Sequence, residues 1–147
     1  MFTIRTIIKS DLEMLFTMMG ALASHESETE YLVTSPERLA KTGFGDHPQW
    51  RGFIAEEGGL PLGYTTYTEG FHIWSNRREI NLDDLFVREG ARGKGVGEAL
   101  MARVFALVEN EDAFVSWMVQ PGNDRALAFY KKLGVKIETL GKCYWGL

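Results

Sequence analysis

The chain has 147 residues, 45% of them hydrophobic and 12% aromatic, which suits a globular domain with a sizeable core and excludes a disordered chain. Twenty acids against 16 bases leave a net charge of −4, a mild acidity compatible with cationic small molecules. No block of lysine or arginine appears, so nucleic acid is not an expected partner.

Residues 3–8 alternate polar and apolar side chains and predict a first strand. Ser10-Asp11-Leu12-Glu13 has the form of a capping box, with Ser10 as the cap. Leu12, Leu15, Phe16, Met19, Leu22 and Ala23 continue it at helical spacing. That helix runs out at His25-Glu26, where Glu26, Glu28 and Glu30 oppose the negative end of the helix dipole. Ser35-Pro36-Glu37 starts a second, short helix that Gly43 ends. Residues 51–56 and 62–68 read as strands joined into a hairpin by the turn-rich stretch 57–61. After a loop that holds Trp74, residues 79–87 are a third extended segment. Residues 95–108 have helical periodicity, 113–119 form a continuous β-prone run, and 123–133 form a helix closed by Gly134. Residues 135–145 are expected to supply one or two closing strands. The order predicts a mixed α/β (α+β) sandwich, helices covering a largely antiparallel sheet, in a single domain over residues 1–147.

No apolar run approaches the ~20 residues of a membrane span, so no membrane partner is expected. The first nine residues lack a signal peptide's apolar centre and cleavage site. The one cysteine, Cys143, allows no intramolecular disulfide and reads as a small packing residue. A cytoplasmic protein is the expectation.

Between the third extended segment and the following helix stands Arg92-Gly93-Lys94-Gly95-Val96-Gly97. Glycines there let the backbone turn sharply and approach a ligand, while the new helix presents N–H groups without helical partners. With Arg92 and Lys94 adding charge, a diphosphate is the natural guest. Taken alone, the loop also reads as a glycine-rich connector with exposed bases. A P-loop fails because Gly95 follows Lys94, and a dinucleotide fingerprint fails because Glu98 stands where its third glycine belongs.

The pattern Arg-x-x-Gly-x-Gly at Arg92, Gly95 and Gly97 resembles the coenzyme A diphosphate loop of the GNAT acetyltransferase superfamily. Asn123-x-x-Ala126-x-x-Phe129-Tyr130, followed by Lys131-Lys132-Leu133-Gly134, resembles its helix with an asparagine near the pantetheine and a tyrosine near the thiol. Leu82-Asp83-Asp84-Leu85-Phe86-Val87, Gly43-Phe44-Gly45-Asp46-His47-Pro48 and Leu22-Ala23-x-x-Glu26 resemble strings of the spermidine/spermine N-acetyltransferases. The likeness covers nearly the whole chain. Departures fall on the acceptor side. His25 replaces that family's tyrosine, Asp83 its glutamate, and the 71–79 loop differs in length.

The resemblance implies a GNAT fold and an acetyl-CoA-dependent N-acetyltransferase without metal. Its acceptor would be the primary amine of a small cationic compound, a polyamine or diamine, attacking directly. Other amines are the alternatives (a thialysine-like amino acid, an aminoglycoside or a protein lysine), as is a non-catalytic acyl-CoA-binding sensor. The implied cofactor set is Leu85, Phe86, Val87, Arg92, Gly93, Lys94, Gly95, Val96, Gly97, Glu98, Asn123, Ala126 and Tyr130.

Acetyl transfer to an amine needs a deprotonated nucleophile, a polarised carbonyl and a proton for the departing thiolate. By resemblance, the backbone of Leu85 and Val87 meets pantetheine and the thioester oxygen, and Tyr130 protonates sulfur. A phenol of pKa ~10 still carries its proton at pH 7. On spacing alone, Tyr130 also reads as a core aromatic beside Phe129. Asp83 and Asp84 point to opposite faces of an unbulged strand, so at most one of them meets the acceptor. The resemblance favours Asp83, as cation ligand or as proton acceptor through water. His25, Glu26, Asp84 and Trp74 complete the substrate-binding set, Trp74 through an aliphatic or cation–π contact. The run Phe71-His72-Ile73-Trp74 is unusually apolar for a surface loop and is expected at a homodimer contact bordering the acceptor cleft.

Overall fold

Five strands make one sheet: β1 (Thr3–Thr6), β2 (Arg51–Glu57), β3 (Leu60–His72), β4 (Arg77–Val87) and β5 (Ala113–Trp117), in that spatial order. The pairings from β1 to β4 are antiparallel, and β5 joins β4 in parallel. The helices are α1 (Leu12–His25), α2 (Pro36–Gly43), α3 (Val96–Phe105) and α4 (Asp124–Lys132). This computed structural model describes residues 1–146, which divide into two compact units, Met1–Trp117 and the residues from Met118 onward. The mixed sheet flanked by helices is the fold class that the order of elements predicts.

Within the first unit, Leu15 and Met18 of α1 and Leu39 of α2 bury against Ile54, Tyr64 and Phe86 of the sheet. On α3, Val96, Leu100, Met101 and Val104 are buried, and the Arg103 guanidinium lies 5.1 Å from the Phe53 ring centre. Phe53 in turn stacks on Tyr67 at 5.8 Å. Because Phe53 and Ile54 are neighbours on one strand, they face opposite ways. So α1 and α2 cover one face of the sheet and α3 the other.

Local signals are kept where packing does not overrule them. Ser35 Oγ accepts from the Arg38 N–H at 3.3 Å, the cap that Ser35-Pro36 announces. At α1 the expected serine cap is absent. Lys9–Asp11 forms a 3-10 turn, and Asp11 occupies the cap position without capping the helix. Its carboxylate instead accepts from Ile8 N–H at 2.8 Å and from both terminal nitrogens of Arg5. A cap is worth about 1 kcal/mol. Burying Leu12 and Leu15 contributes roughly 1.5–3 kcal/mol each, so the core sets where this helix begins.

The hairpin of β2 and β3 turns at Gly58-Gly59, both at positive φ. What reads in sequence as a loop around Trp74 is mostly strand, because β3 and β4 stay paired out to His72↔Arg77. In the second unit, Asn123 Oδ1 accepts from the Ala126 N–H at 3.1 Å and caps α4, and Gly134 follows the helix at φ 75°. The closing strands expected in residues 135–145 are not formed. A strand needs a ladder to join, and a lone extended segment is not stable by itself. Here Leu140, Tyr144 and Trp145 are exposed, and so is Cys143, against its reading as a packed residue.

Candidate active site

Strand β4 carries the candidate site because its two edges part company. It pairs with β3 as far as Gly63↔Val87, but with β5 only from Arg78↔Ala113 to Leu82↔Trp117. From residue 83 to 87 the β5 side of the strand has no ladder among the described residues. Arg88 N–H donates to Leu62 C=O at 2.9 Å, and Thr65 Oγ1 donates to Asp84 C=O at 2.7 Å. Backbone groups alternate along an antiparallel strand, so Asp84 and Phe86 face β3, while Leu85 and Val87 face the open edge. These are the two backbones that the sequence analysis names.

At the end of β4 the chain makes a short 3-10 turn, Glu89–Ala91, and then the glycine loop. Arg92 Nε donates to Val87 C=O at 3.0 Å and ties the loop to the strand. Gly93 and Gly95 have φ of 74° and 79°, a region that favours glycine, and a Cβ on either would meet nothing within 4 Å. Gly95 is the N-cap of α3, and no side chain caps that helix. Its first backbone bond runs from Ala99 N–H to Gly95 C=O, so the N–H groups of Val96 and Gly97 precede the ladder. Open space over an uncapped helix start, with Arg92 and Lys94 beside it, fits a diphosphate.

Where the sequence analysis expects the acceptor, the β3–β4 register shifts between Thr66 and Tyr67, pairing Thr66 with Asp84 and Tyr67 with Leu82. Asp83 is the extra residue of a bulge. The unbulged strand of the sequence reading is therefore corrected: a bulge re-aims the side chains that follow it. Leu82 lies beside Tyr67, whereas Asp84 turns to the α1 face with Tyr64 and Thr66. Asp83 is exposed. Tyr64 Oη donates to Asp84 Oδ2 at 3.3 Å, and Thr66 Oγ1 donates to the same oxygen at 3.2 Å.

Burial pushes the Asp84 carboxyl above its ordinary pKa, and the two hydrogen bonds oppose that rise. Glu26, the residue that closes α1, is raised first by desolvation and then by the charges of Glu28 and Asp84, with His25 opposing. The Tyr64 phenol is raised by burial, by its contact with Asp84 and by Glu26. The fold thus brings Glu26, His25, Tyr64 and Asp84 to one place beside the open part of β4. Trp74 is elsewhere. It sits 97% exposed at the tip of the β3–β4 hairpin, seven or more residues of strand from Asp84, which is roughly 20 Å or more.

Sequence reasoning missed Tyr64 and Thr66. Their alternation in 64–67 puts both on one face, but only the strand register reveals that this face holds Asp84. In the second unit, Tyr130 is the buried residue of α4, its ring 5.5 Å from that of Phe129. Asn123 spends its carbonyl on the helix cap, and its amide NH2 is a donor. Among the described residues, no group of three His, Cys, Asp or Glu is placed to hold a metal ion, and no helix is long and apolar enough to cross a membrane.

Residues 15–135 match the acetyltransferase (GNAT) family. The chain belongs to that family. This GNAT chain is 28% identical to thialysine N-epsilon-acetyltransferase from Mus musculus, over 90% of its own length and 83% of the relative's. It is 23% identical to spermidine/spermine N(1)-acetyltransferase-like protein 1 from Homo sapiens, covering 90% of its own length and 20% of that longer protein. In structure it resembles an aminoglycoside acetyltransferase from an uncultured soil metagenomic sample, solved with sisomicin, at a TM-score of 0.82. That likeness covers 99% of this chain and 96% of the other at 18% identity, and shows the fold alone. The protein is a GNAT N-acetyltransferase, and GNAT acetyltransferases use acetyl-CoA.

Proposed function

We propose that this acetyltransferase moves the acetyl group of acetyl-CoA to a primary amine of a small acceptor with at least two positive charges, a polyamine or diamine. The observation that carries the reading is the meeting of Asp84 and Glu26 beside the unpaired stretch of β4. The Asp84 charge raises the Glu26 pKa, and two such carboxylates gain from a dication between them.

When bound, acetyl-CoA supplies an acetyl group already activated as a thioester. The N–H groups of Val96 and Gly97, with Gly93, Gly95, Arg92, Lys94 and Glu98 around them, hold its diphosphate. Leu85 and Val87, on either side of Phe86, present backbone to the pantetheine and an N–H toward the carbonyl oxygen. Asn123 and Ala126 belong to the same cofactor set, and Tyr130 gives the departing sulfur its proton. Asp83, Asp84, Glu26 and His25 bind the cationic acceptor. Trp74 reaches an acceptor cleft only from a second copy of the chain, so the reading includes a homodimer. A single domain over 1–147 is supported by a family match that runs through both units. One cysteine and a thioester donor suit the cytoplasm.

A thialysine-like amino acid is the second reading, favoured by the curated relatives of that name. Such an acceptor carries a carboxylate of its own. Among the groups acting on Glu26, only His25 is able to offer it a positive charge, while Glu28 and Asp84 repel it. The test is thiol release from acetyl-CoA across polyamines, diamines, monoamines, thialysine and aminoglycosides. Polyamines or diamines should show the highest kcat/KM, by about tenfold or more over monoamines for one added charge contact. Equal values for monoamines and polyamines would remove the dication reading, and a preference for thialysine would install the second one.

A further inference from the structure

The bulge at Asp83 sets the two adjacent aspartates of β4 apart. Asp84 stands in a built environment. It pairs with Thr66 across the ladder, and two hydroxyls, Tyr64 Oη and Thr66 Oγ1, reach it from β3. Both choose the same oxygen. Oδ2 thus takes two donors at 3.3 and 3.2 Å, and Oδ1 takes neither. Tyr64 itself is fully buried, 0% exposed, and Thr66 is buried too, so these donors are held in place by packing. A carboxylate fixed through one oxygen presents the other in a single direction, as a proton acceptor requires.

We infer that Asp84 takes the proton of the acceptor ammonium on Oδ1, and that Tyr64 and Thr66 are the positioning residues that clamp Oδ2 for this task. The inference rests on the proposed transfer to an amine, but not on which amine it is. The N–H bond of the ammonium breaks, the proton joins Oδ1, and the electron pair stays on nitrogen. That nitrogen then attacks the acetyl carbonyl carbon and gives up its second proton to water, while the C–S bond breaks with its pair on sulfur and sulfur takes up a proton from water. Asp84 afterwards loses its proton to water. The titratable groups that face Asp84 are Tyr64 from β3 and Glu26 from the end of α1, with His25 and Glu28 acting in turn on Glu26. Asp83 is next to Asp84 on its own strand. Burial raises the Asp84 pKa, which brings this base closer to the acceptor's own pKa than an exposed aspartate would be.

The test is the pH dependence of kcat/KM for whichever amine the panel ranks first, in the full-length enzyme and in Tyr64→Phe, Thr66→Val, Asp84→Asn and Asp83→Asn. Tyr64→Phe keeps the buried ring, and Thr66→Val provides an independent variant should the first melt early. Each hydroxyl stabilises the ionised form, so losing one should raise the Asp84 pKa. The acid limb should move to higher pH by roughly half a unit or more, with the affinity for acetyl-CoA by calorimetry unchanged. Asp84→Asn should abolish that limb and lower kcat by about 100-fold. An acid limb that stays in place in both hydroxyl variants overturns the clamp. A limb that survives Asp84→Asn and vanishes in Asp83→Asn overturns the choice of base. A wrong acceptor class shows in the amine panel and leaves both limbs readable.

Discussion

Gly95 carries two demands at once. Its φ of 79° makes it the left-handed cap of α3, and its missing side chain leaves the space above the loop open. A β-branched residue there costs about 1–2 kcal/mol in backbone strain and fills the space that a diphosphate would enter. Gly95→Val should therefore stay folded by circular dichroism but lose acetyl-CoA affinity by about 100-fold or more in calorimetry. Unchanged affinity in a folded variant would dissociate the loop from the cofactor. This residue was legible in the sequence because a glycine motif reports a backbone constraint, and such a constraint is local. Asp84 was not legible in the same way. Choosing between two adjacent aspartates needs the bulge, and the bulge is a property of two strands in register rather than of either one.

At the scale of elements, Arg5 fastens β1 to the 3-10 turn before α1 and to β2. Its guanidinium meets both oxygens of Asp11, at 2.7 and 2.9 Å, and Glu56 at 2.8 Å. The Asp11 side chain is only 12% exposed, and its hydrogen bonds to Arg5 hold its pKa below the ordinary aspartate value. A carboxyl lowered in this way stabilises the fold above its unfolded pKa, near 4, and loses that contribution as pH falls through the folded value. Arg5→Met should destabilise the protein by about 2 kcal/mol at neutral pH, between the exposed and buried limits for broken ion pairs. The gap in urea stability between wild type and variant should close below about pH 4. A gap that persists in acid would place the loss in packing rather than in the ion pair. The same cluster explains why Ser10 does not cap α1: the Asp11 carboxylate is committed to Arg5, and the turn that this requires takes up Ser10.

At the scale of the whole molecule, the β3–β4 hairpin ends in Phe71, Ile73 and Trp74, which are 59%, 81% and 97% exposed. The turn itself is tied by His72 Nδ1 and Ser75 Oγ at 2.9 Å, so the apolar tip is presented on a closed structure. Burying that surface against a second copy would repay the exposure, and a closed two-fold pair is the commonest arrangement that does so. We therefore expect a dimer by sedimentation at micromolar concentration. Trp74→Ala should weaken it by about tenfold or more and raise the KM of the amine at the same time. A fully active monomer at that concentration would reject the shared-site arrangement.

By itself, the sequence determined the family, the order of elements as far as α4 and the glycine loop of this protein, because periodicity, turn chemistry and short motifs all act within one stretch of chain. The cap at Ser35 and the cap at Asn123 belong to the same class of local signal. Only the tertiary structure decided where β4 loses its partner, which aspartate turns toward α1, and that Tyr64 and Thr66 stand behind it. It also decided that the run around Trp74 extends a hairpin away from Asp84, and that residues 135–145 form no ladder among the described residues. The reason is the same in each case. Strand pairing and register are contacts between segments far apart in the chain, and the physics that selects them is written in the pair, not in either partner.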